Sequence, residues 1–200
     1  MKLAKDYNSV MGRSADIMKA SLGLDFNDFE SGSVAFDYEG LMEATGYTIE
    51  EIDKIFRNTL KGKRPTEQEV LKFRSAMFLD LGRMYHDKGW AQQFHIGPIR
   101  NNNTKMFNLI GPDTGFDAIL DLPVAAAGHK FLDRLAMEDK LTKTILYNLN
   151  PKDNEVLATM AYTFNDGSCP GKMQLGSGWW FLDQEDGMKK QMNALSALGL

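Results

Sequence analysis

Four short runs, in which apolar residues are continuous or interspersed with polar ones, alternate with stretches of helical periodicity, and this alternation constrains the fold more than any other feature of the sequence. The runs cover residues 33–37, 91–97, 144–149 and 172–176. Short apolar runs bounded by turn residues predict buried strands. Strands that alternate with helices predict parallel pairing through helical crossovers, and therefore an α/β fold.

Two of the predicted helices begin at capping boxes, in which a Thr hydroxyl and a Glu carboxylate satisfy the first amides of a helix. The boxes are Thr48–Glu51 and Thr66–Glu69, and apolar residues follow each at spacings of three and four. Further helical faces follow Pro123, start at Glu155, and start near Met188. The Asn-rich and Gly-rich segment between the second and third strands is predicted to be a loop.

No linker rich in Pro, Gly or Ser divides the chain, so we expect one domain over residues 32–200 after a poorly assigned helical segment over residues 1–31. A closed (β/α)₈ barrel contains about 250 residues and eight strands. With 200 residues and four predicted strands, the chain is therefore either a small open sheet or about half of a barrel.

Composition excludes several classes of function. Lys and Arg number 23 against 27 Asp and Glu, and this net charge of -4 argues against a nucleic-acid partner. The single Cys169 excludes a disulfide framework and a four-cysteine zinc site. No apolar run approaches the ~18 residues of a membrane span, and no apolar leader follows Met1. We therefore expect a cytoplasmic protein without a membrane partner.

Polar or aromatic residues stand at the exits of all four predicted strands, where parallel α/β proteins gather their functional groups. They are Asp37, His95, Tyr147 with Asn148, and the segment from Gly176 to Trp180. At any one exit the alternative is simply a polar loop. These groups are therefore candidates for a site, beside that alternative.

Three residues offer specific chemistry, each beside a structural alternative. His95 could ligate a metal or move a proton, or it could be a core imidazole. Neither His-x-His nor His-Glu-x-x-His is present, so one histidine alone does not define a metal site. Arg100 could hold a carboxylate through two hydrogen bonds, or lie on the surface. The Trp179–Trp180 pair could stack on a sugar or pack in the core.

Four ordered runs resemble uronate isomerase (glucuronate isomerase), a family of the amidohydrolase superfamily. They lie at residues 89–103, 111–117, 143–156 and 170–181, and the first contains Phe94-His95-Ile96-Gly97-Pro98-Ile99-Arg100. The resemblance is strong from residue 66 onward and looser over residues 32–65. It implies a partial (β/α)₈ barrel of the TIM type, corresponding to about strands four to seven of eight, and hence a central fragment of a longer enzyme.

The same resemblance implies roles for individual residues. His95 matches a histidine of the metal and catalytic site, and Arg100 matches an arginine that contacts substrate. Asp37 aligns with an active-site Asp, although the family usually reads Ser-Asp-His where this chain reads Phe36-Asp37-Tyr38. Trp180 is assigned to substrate binding.

The implied reaction is the aldose–ketose isomerisation of D-glucuronate to D-fructuronate, and of D-galacturonate to D-tagaturonate. The implied cofactor is a divalent metal, zinc or manganese, which we do not expect this chain alone to hold. The implied partners are a small uronate sugar and either a second copy of the chain or a complementing fragment.

Three hypotheses about function remain open at this point. The chain is a segment of a uronate isomerase and is inactive alone, or it is a stand-alone half barrel that binds sugar acids or self-associates without catalysis. The third is a small enzyme that uses His95 and Asp37 only; it ranks lowest, because proton transfer beside a carbonyl needs electrophilic assistance.

Overall fold

The computed structural model describes residues 33–38, 46–178 and 180–197, so the predicted segment 1–31 lies outside the described residues. The elements alternate as the sequence predicts. In chain order they are β1 (Ser33–Tyr38), α1 (Ile49–Leu60), α2 (Glu67–Asp87), β2 (Ala91–Ile96), β3 (Pro98–Ile99), α3 (Thr104–Ile110), β4 (Ala118–Ile119), α4 (Ala125–Met137), β5 (Thr144–Asn148), α5 (Asn154–Thr163), β6 (Met173–Leu175) and α6 (Glu185–Ser196).

The main sheet has four parallel strands in the order β1-β2-β5-β6. Each strand is hydrogen-bonded to the next strand of this series along the chain, and helices lie between them in sequence. The predicted α/β fold with parallel pairing is confirmed. The predicted strands agree with those observed to within one or two residues at each end.

Both predicted capping boxes form. The Thr48 hydroxyl accepts a hydrogen bond from the Glu51 amide at 3.2 Å, and the Glu51 carboxylate accepts one from the Thr48 amide at 2.9 Å. Thr66 and Glu69 make the same reciprocal pair at 3.2 and 2.8 Å. Each box satisfies two amides that have no partner inside the helix, and so defines where α1 and α2 begin.

The core lies between one face of the sheet and the helices. Burial alternates along β2, where Phe94 and Ile96 are buried and pack in a cluster with Phe131 of α4 and Leu157 of α5. The residues that alternate with them, Gln93 and His95, point to the second face of the sheet and are half-buried. The same alternation recurs along β5. The sheet therefore has one fully packed face and one more open face.

The prediction of a loop between β2 and α4 is wrong in part. The segment contains the two-residue strands β3 and β4, which pair antiparallel, and the seven-residue helix α3. The Asn103 side chain caps α3 by accepting a hydrogen bond from the Met106 amide at 3.1 Å. No residue of α3 is buried, and seven residues are too few to show a clear helical period in the sequence.

Candidate active site

The carboxyl ends of the strands bring predicted site residues to one level of the sheet. Asp37 of β1 is in register with His95 of β2, and His95 is in register with Tyr147 of β5. The Gly176 amide follows β6 and donates to the Leu146 carbonyl at 2.7 Å. The backbone thus places all four predicted exits side by side. The side chain of Asp37 lies outside what the structure describes.

His95 lies on the more open face of the sheet and is half-buried, which differs from the core position considered as its alternative. Its imidazole meets the Tyr147 ring edge to face, with ring centres 5.2 Å apart and planes at 81°. This is a preferred geometry for aromatic pairs. Tyr147 therefore limits the orientations that the imidazole can take.

Gly176 provides the space for the Tyr147 ring. A Cβ atom on Gly176 would lie 2.3 Å from Cδ1 and 2.4 Å from Cε1 of that ring, far inside van der Waals contact. The absence of a side chain on Gly176, just after β6, thus lets the Tyr147 ring lie across the backbone there. The three strand ends therefore form a row in which imidazole, phenol and bare backbone follow one another.

Arg100 lies just beyond β3 and is held by acidic and aromatic neighbours. Its Nη1 donates to Asp117 Oδ2 at 3.3 Å and lies 3.7 Å from Asp113 Oδ1. Its guanidinium lies over the Trp180 ring, 4.8 Å from the ring centre. This distance is within the range of cation–π contacts. The structure therefore brings together Arg100 and Trp180, the two predicted substrate-binding residues.

Trp180 opens a short 3₁₀ turn over Trp180–Leu182 and has a left-handed backbone, with φ of 53°. Non-glycine residues rarely adopt this conformation. Its ring stacks on Phe181 with centres 5.4 Å apart. Trp179, the other member of the predicted pair, lies outside the described residues. Trp180 thus packs between Phe181 and Arg100 at the exit of β6.

The three successive asparagines after Arg100 shape the loop. Asn101 has a φ of 51°, and its side-chain oxygen accepts a hydrogen bond from the Asp113 amide at 2.9 Å. The Asn102 amide donates to the Phe116 carbonyl at 2.7 Å, and Asn103 caps α3. The side chains of Asn101 and Asn103 therefore bond the loop backbone.

Polar residues after β5 form a buried network. The Asn148 side chain donates to Asn154 Oδ1 and to the Asn150 carbonyl, both at 2.8 Å, and accepts from Gln191 of α6 at 3.4 Å. Burial raises the pKa of the neighbouring Asp153. The network ties the exit of β5 to the start of α5 and to α6. These contacts give the polar exit of β5 a structural role.

Two residues of the arrangement were not predicted as site residues. Asp117 is not recognisable because its proximity to Arg100 depends on pairing between β3 and β4, which are too short to predict. The sequence places Tyr147 at a strand exit, but its contact with His95 depends on the register of β2 and β5.

A metal would need more ligands than these residues supply. Within residues 46–178 and 180–197, no group of three or more His, Cys, Asp or Glu side chains could hold a metal ion. His95 is thus a single candidate ligand among the described side chains, and they do not by themselves fit the zinc or manganese that the resemblance implies.

A small apolar cavity of about 30 Å³ lies elsewhere, on the packed face of the sheet. Its lining includes Phe94, Phe131 and Leu157 and contains no charged side chain. It is too small for a sugar, and it lies on the other face of β2 from His95.

Across the described ranges, none of the helices combines the length and apolar character that crossing a bilayer would require.

Comparison with known proteins shows a family model and curated relatives that match most of this chain. The family model described as glucuronate isomerase matches residues 12–200. The uronate isomerase of Phocaeicola vulgatus is 57% identical over 189 residues, which cover 94% of this chain and 40% of that relative. The uronate isomerase of Bacteroides fragilis is 50% identical over 214 aligned positions, covering 100% of this chain and 45% of that relative. The chain thus spans less than half the length of these relatives.

Solved structures agree with the fold. The crystal structure of uronate isomerase from Thermotoga maritima superposes with a TM-score of 0.73 at 23% identity, covering 96% of this chain and 43% of that one. The crystal structure of glucuronate isomerase from Caulobacter crescentus gives the same TM-score at 24% identity. The match covers 96% of this chain and 37% of that one.

Proposed function

The chain belongs to the glucuronate isomerase family, and from this premise we propose that it supplies one side of the active site of a uronate isomerase. The proposed reaction interconverts an aldose and a ketose form of a sugar acid such as glucuronate. One observation carries the proposal: within a chain matched over residues 12–200, His95 and Arg100 lie at the carboxyl side of a parallel sheet.

We propose that the four main strands are the fourth to seventh strands of a (β/α)₈ barrel. Two observations support this assignment. The strands are parallel and follow one another in the sheet without an inserted strand, as in a barrel wall. The face that carries His95 is less covered than the face packed on helices. In a closed barrel that face would be the interior, filled by side chains from the other strands.

The chemistry divides between two groups of residues. In an aldose–ketose isomerisation a proton leaves C2 and returns at C1 through an enediol. We assign acid–base work in this transfer to His95, because an imidazole is the side chain most often used for such proton transfer, and to Asp37 in register beside it. Arg100 binds the C6 carboxylate, for which a guanidinium offers two parallel hydrogen bonds. Trp180 packs on Arg100 at the carboxylate end of the substrate.

A metal at this site is not supported by the described side chains alone. Zinc or manganese at His95 would require further ligands beyond the described side chains. No step of the proposed proton transfer is therefore assigned to a metal. The residues of this chain act by holding the sugar acid and by moving a proton beside His95.

A hybrid enzyme tests the proposal. The hybrid is the Phocaeicola vulgatus uronate isomerase with its matched segment replaced by this chain, which is 57% identical there. We expect the hybrid to convert glucuronate to fructuronate, and His95→Asn to lower the rate by about 10²–10⁴-fold, the usual contribution of a general acid or base. His86→Asn, at an exposed residue of α2, is the matched control and should retain activity.

The outcome also separates this proposal from its alternative. A folded hybrid that binds glucuronate but does not convert it would favour a sugar-acid binding domain without catalysis. Equal activity of the His95→Asn and His86→Asn hybrids would refute the role of His95.

A further inference from the structure

We propose that Asp117 is a positioning residue that orients the guanidinium of Arg100 to receive a substrate carboxylate. The inference rests on the proposed function for the identity of that carboxylate. Asp117 lies 17 residues after Arg100 in sequence, in the turn before β4. Its proximity to Arg100 arises only in the folded chain.

The Asp117 carboxylate uses its two oxygens on two different partners. Oδ2 accepts from Arg100 Nη1 at 3.3 Å, and Oδ1 accepts from the Asn101 amide at 2.6 Å. The side chain is only 5% exposed. A backbone amide next to Arg100 therefore fixes the rotation of the carboxylate, and the carboxylate in turn fixes the guanidinium.

The surrounding loop holds Asp117 in place. Ile99 pairs with Ala118 in the short ladder of β3 and β4, so Asp117 continues this ladder opposite Arg100. The Asn102 amide closes the loop one step further by donating to the Phe116 carbonyl. These backbone bonds make the meeting of Arg100 and Asp117 a property of the fold rather than of two flexible side chains.

Trp180 restrains the same guanidinium from another direction. Asp117 binds one nitrogen at the edge of the group, while the Trp180 ring lies 4.8 Å below its face. A guanidinium has five N–H donors, so one group can bond Asp117 and a second carboxylate together. Fixing it beforehand removes part of the entropic cost of binding, which corresponds to about a threefold to tenfold gain in affinity.

Simple electrostatics and positioning predict opposite changes in affinity for the substrate carboxylate when Asp117 is replaced by Asn. The substitution removes a negative charge beside the incoming carboxylate, and on charge alone the carboxylate should bind more tightly. If Asp117 positions Arg100, binding should instead weaken. The substituted amide can still accept from the Asn101 amide through its oxygen, but it presents a donor to Arg100. Asp113→Asn is the matched control, because Asp113 lies 3.7 Å from the same nitrogen but is 74% exposed.

The first experiment uses the 200-residue chain itself. Nitrogen NMR of the arginine side chains reports how fast each guanidinium rotates, and the Arg100 signal is assigned from its loss in Arg100→Lys. We expect slow rotation for Arg100 and fast rotation for the exposed Arg64. Asp117→Asn should make Arg100 rotate fast, whereas Asp113→Asn should leave it slow. Fast rotation of Arg100 in the unaltered chain would overturn the proposal even if Asp117→Asn fails to fold.

The second experiment uses the hybrid enzyme and its KM and kcat for glucuronate. We expect Asp117→Asn to raise KM about threefold to tenfold with a smaller change in kcat, and Asp113→Asn to leave both within about twofold. An unchanged or lower KM for Asp117→Asn would overturn the proposal. An inactive parent hybrid would refute the proposed function instead, and the rotation measurement would still decide whether Asp117 positions Arg100.

Discussion

Gly176→Ala tests the packing that places Tyr147 against His95. The new Cβ would lie 2.3, 2.4 and 2.7 Å from Cδ1, Cε1 and Cγ of the Tyr147 ring. Ordinary contact begins near 3.4 Å, so the ring would have to move by roughly 1 Å. The backbone of Gly176 is not left-handed, so steric overlap is the main source of the cost.

The size of the effect follows from this overlap. Overpacking by one methyl group costs about 1–3 kcal/mol when neighbouring atoms cannot give way. The Tyr147 ring is backed by the His95 imidazole, at 5.2 Å between ring centres, which limits its movement. We therefore expect a loss of about 2 kcal/mol. For a chain of this length that corresponds to a Tm lower by about 4–8 °C.

Urea unfolding of four chains, followed by circular dichroism, measures this cost. The chains are the parent, Gly176→Ala, Tyr147→Ala and the double variant. Without the ring, Gly176→Ala should cost less than about 0.5 kcal/mol, which gives a coupling energy of more than 1 kcal/mol. Gly46→Ala is the matched control, because nothing lies within 4 Å of its added Cβ. The reasoning is refuted if Gly176→Ala costs no more than Gly46→Ala, or costs the same with and without the ring.

Three further predictions concern charge, association and turnover. Hydrogen bonding from Arg83 lowers the pKa of Glu138 to about 2 from its ordinary 4.5, so its stabilisation is complete above pH 4.5 and is lost as pH falls toward 2. Glu138→Gln should thus lower the free energy of unfolding in urea by about 1 kcal/mol at pH 7, and by progressively less below pH 4.5. A difference between the parent and Glu138→Gln that stays constant with pH would contradict this. The described sheet has open edges at β1 and β6, and α3 exposes Phe107, Leu109 and Ile110. Because such edges and apolar surfaces favour association, sedimentation velocity should give species above the 22.5 kDa monomer. A clean monomer would count against an open half barrel. The purified chain alone, with zinc or manganese added, should not isomerise glucuronate, and measurable turnover would refute that expectation.

Sequence patterns predicted the elements whose signals are local. The capping boxes of α1 and α2 depend on residues three apart, and the parallel strands appear as short runs bounded by turn residues, so both could be recognised without a structure. The helix α3 could have been suspected from Asn103 before Met106 and Phe107, but seven residues are too few for a clear period.

The contacts of the candidate site are long-range, and this explains which of them could not be predicted. His95 was recognised by its place inside a strand, but its neighbour Tyr147 depends on the register between two strands that are far apart in sequence. Arg100 is a candidate carboxylate ligand by its residue type, and the family resemblance adds to this, whereas Asp117 reaches it only through the ladder of β3 and β4. Residue type and spacing therefore indicate His95 and Arg100 as candidate site residues, whereas strand register determines which residues contact them.

A crystal structure of the hybrid enzyme with glucuronate bound would test the central proposal most directly. The account predicts that the sugar lies at the carboxyl ends of β1, β2, β5 and β6, with its C6 carboxylate hydrogen-bonded to Arg100 and with C1 and C2 beside His95. A sugar bound elsewhere, or bound with its carboxylate away from Arg100, would contradict it.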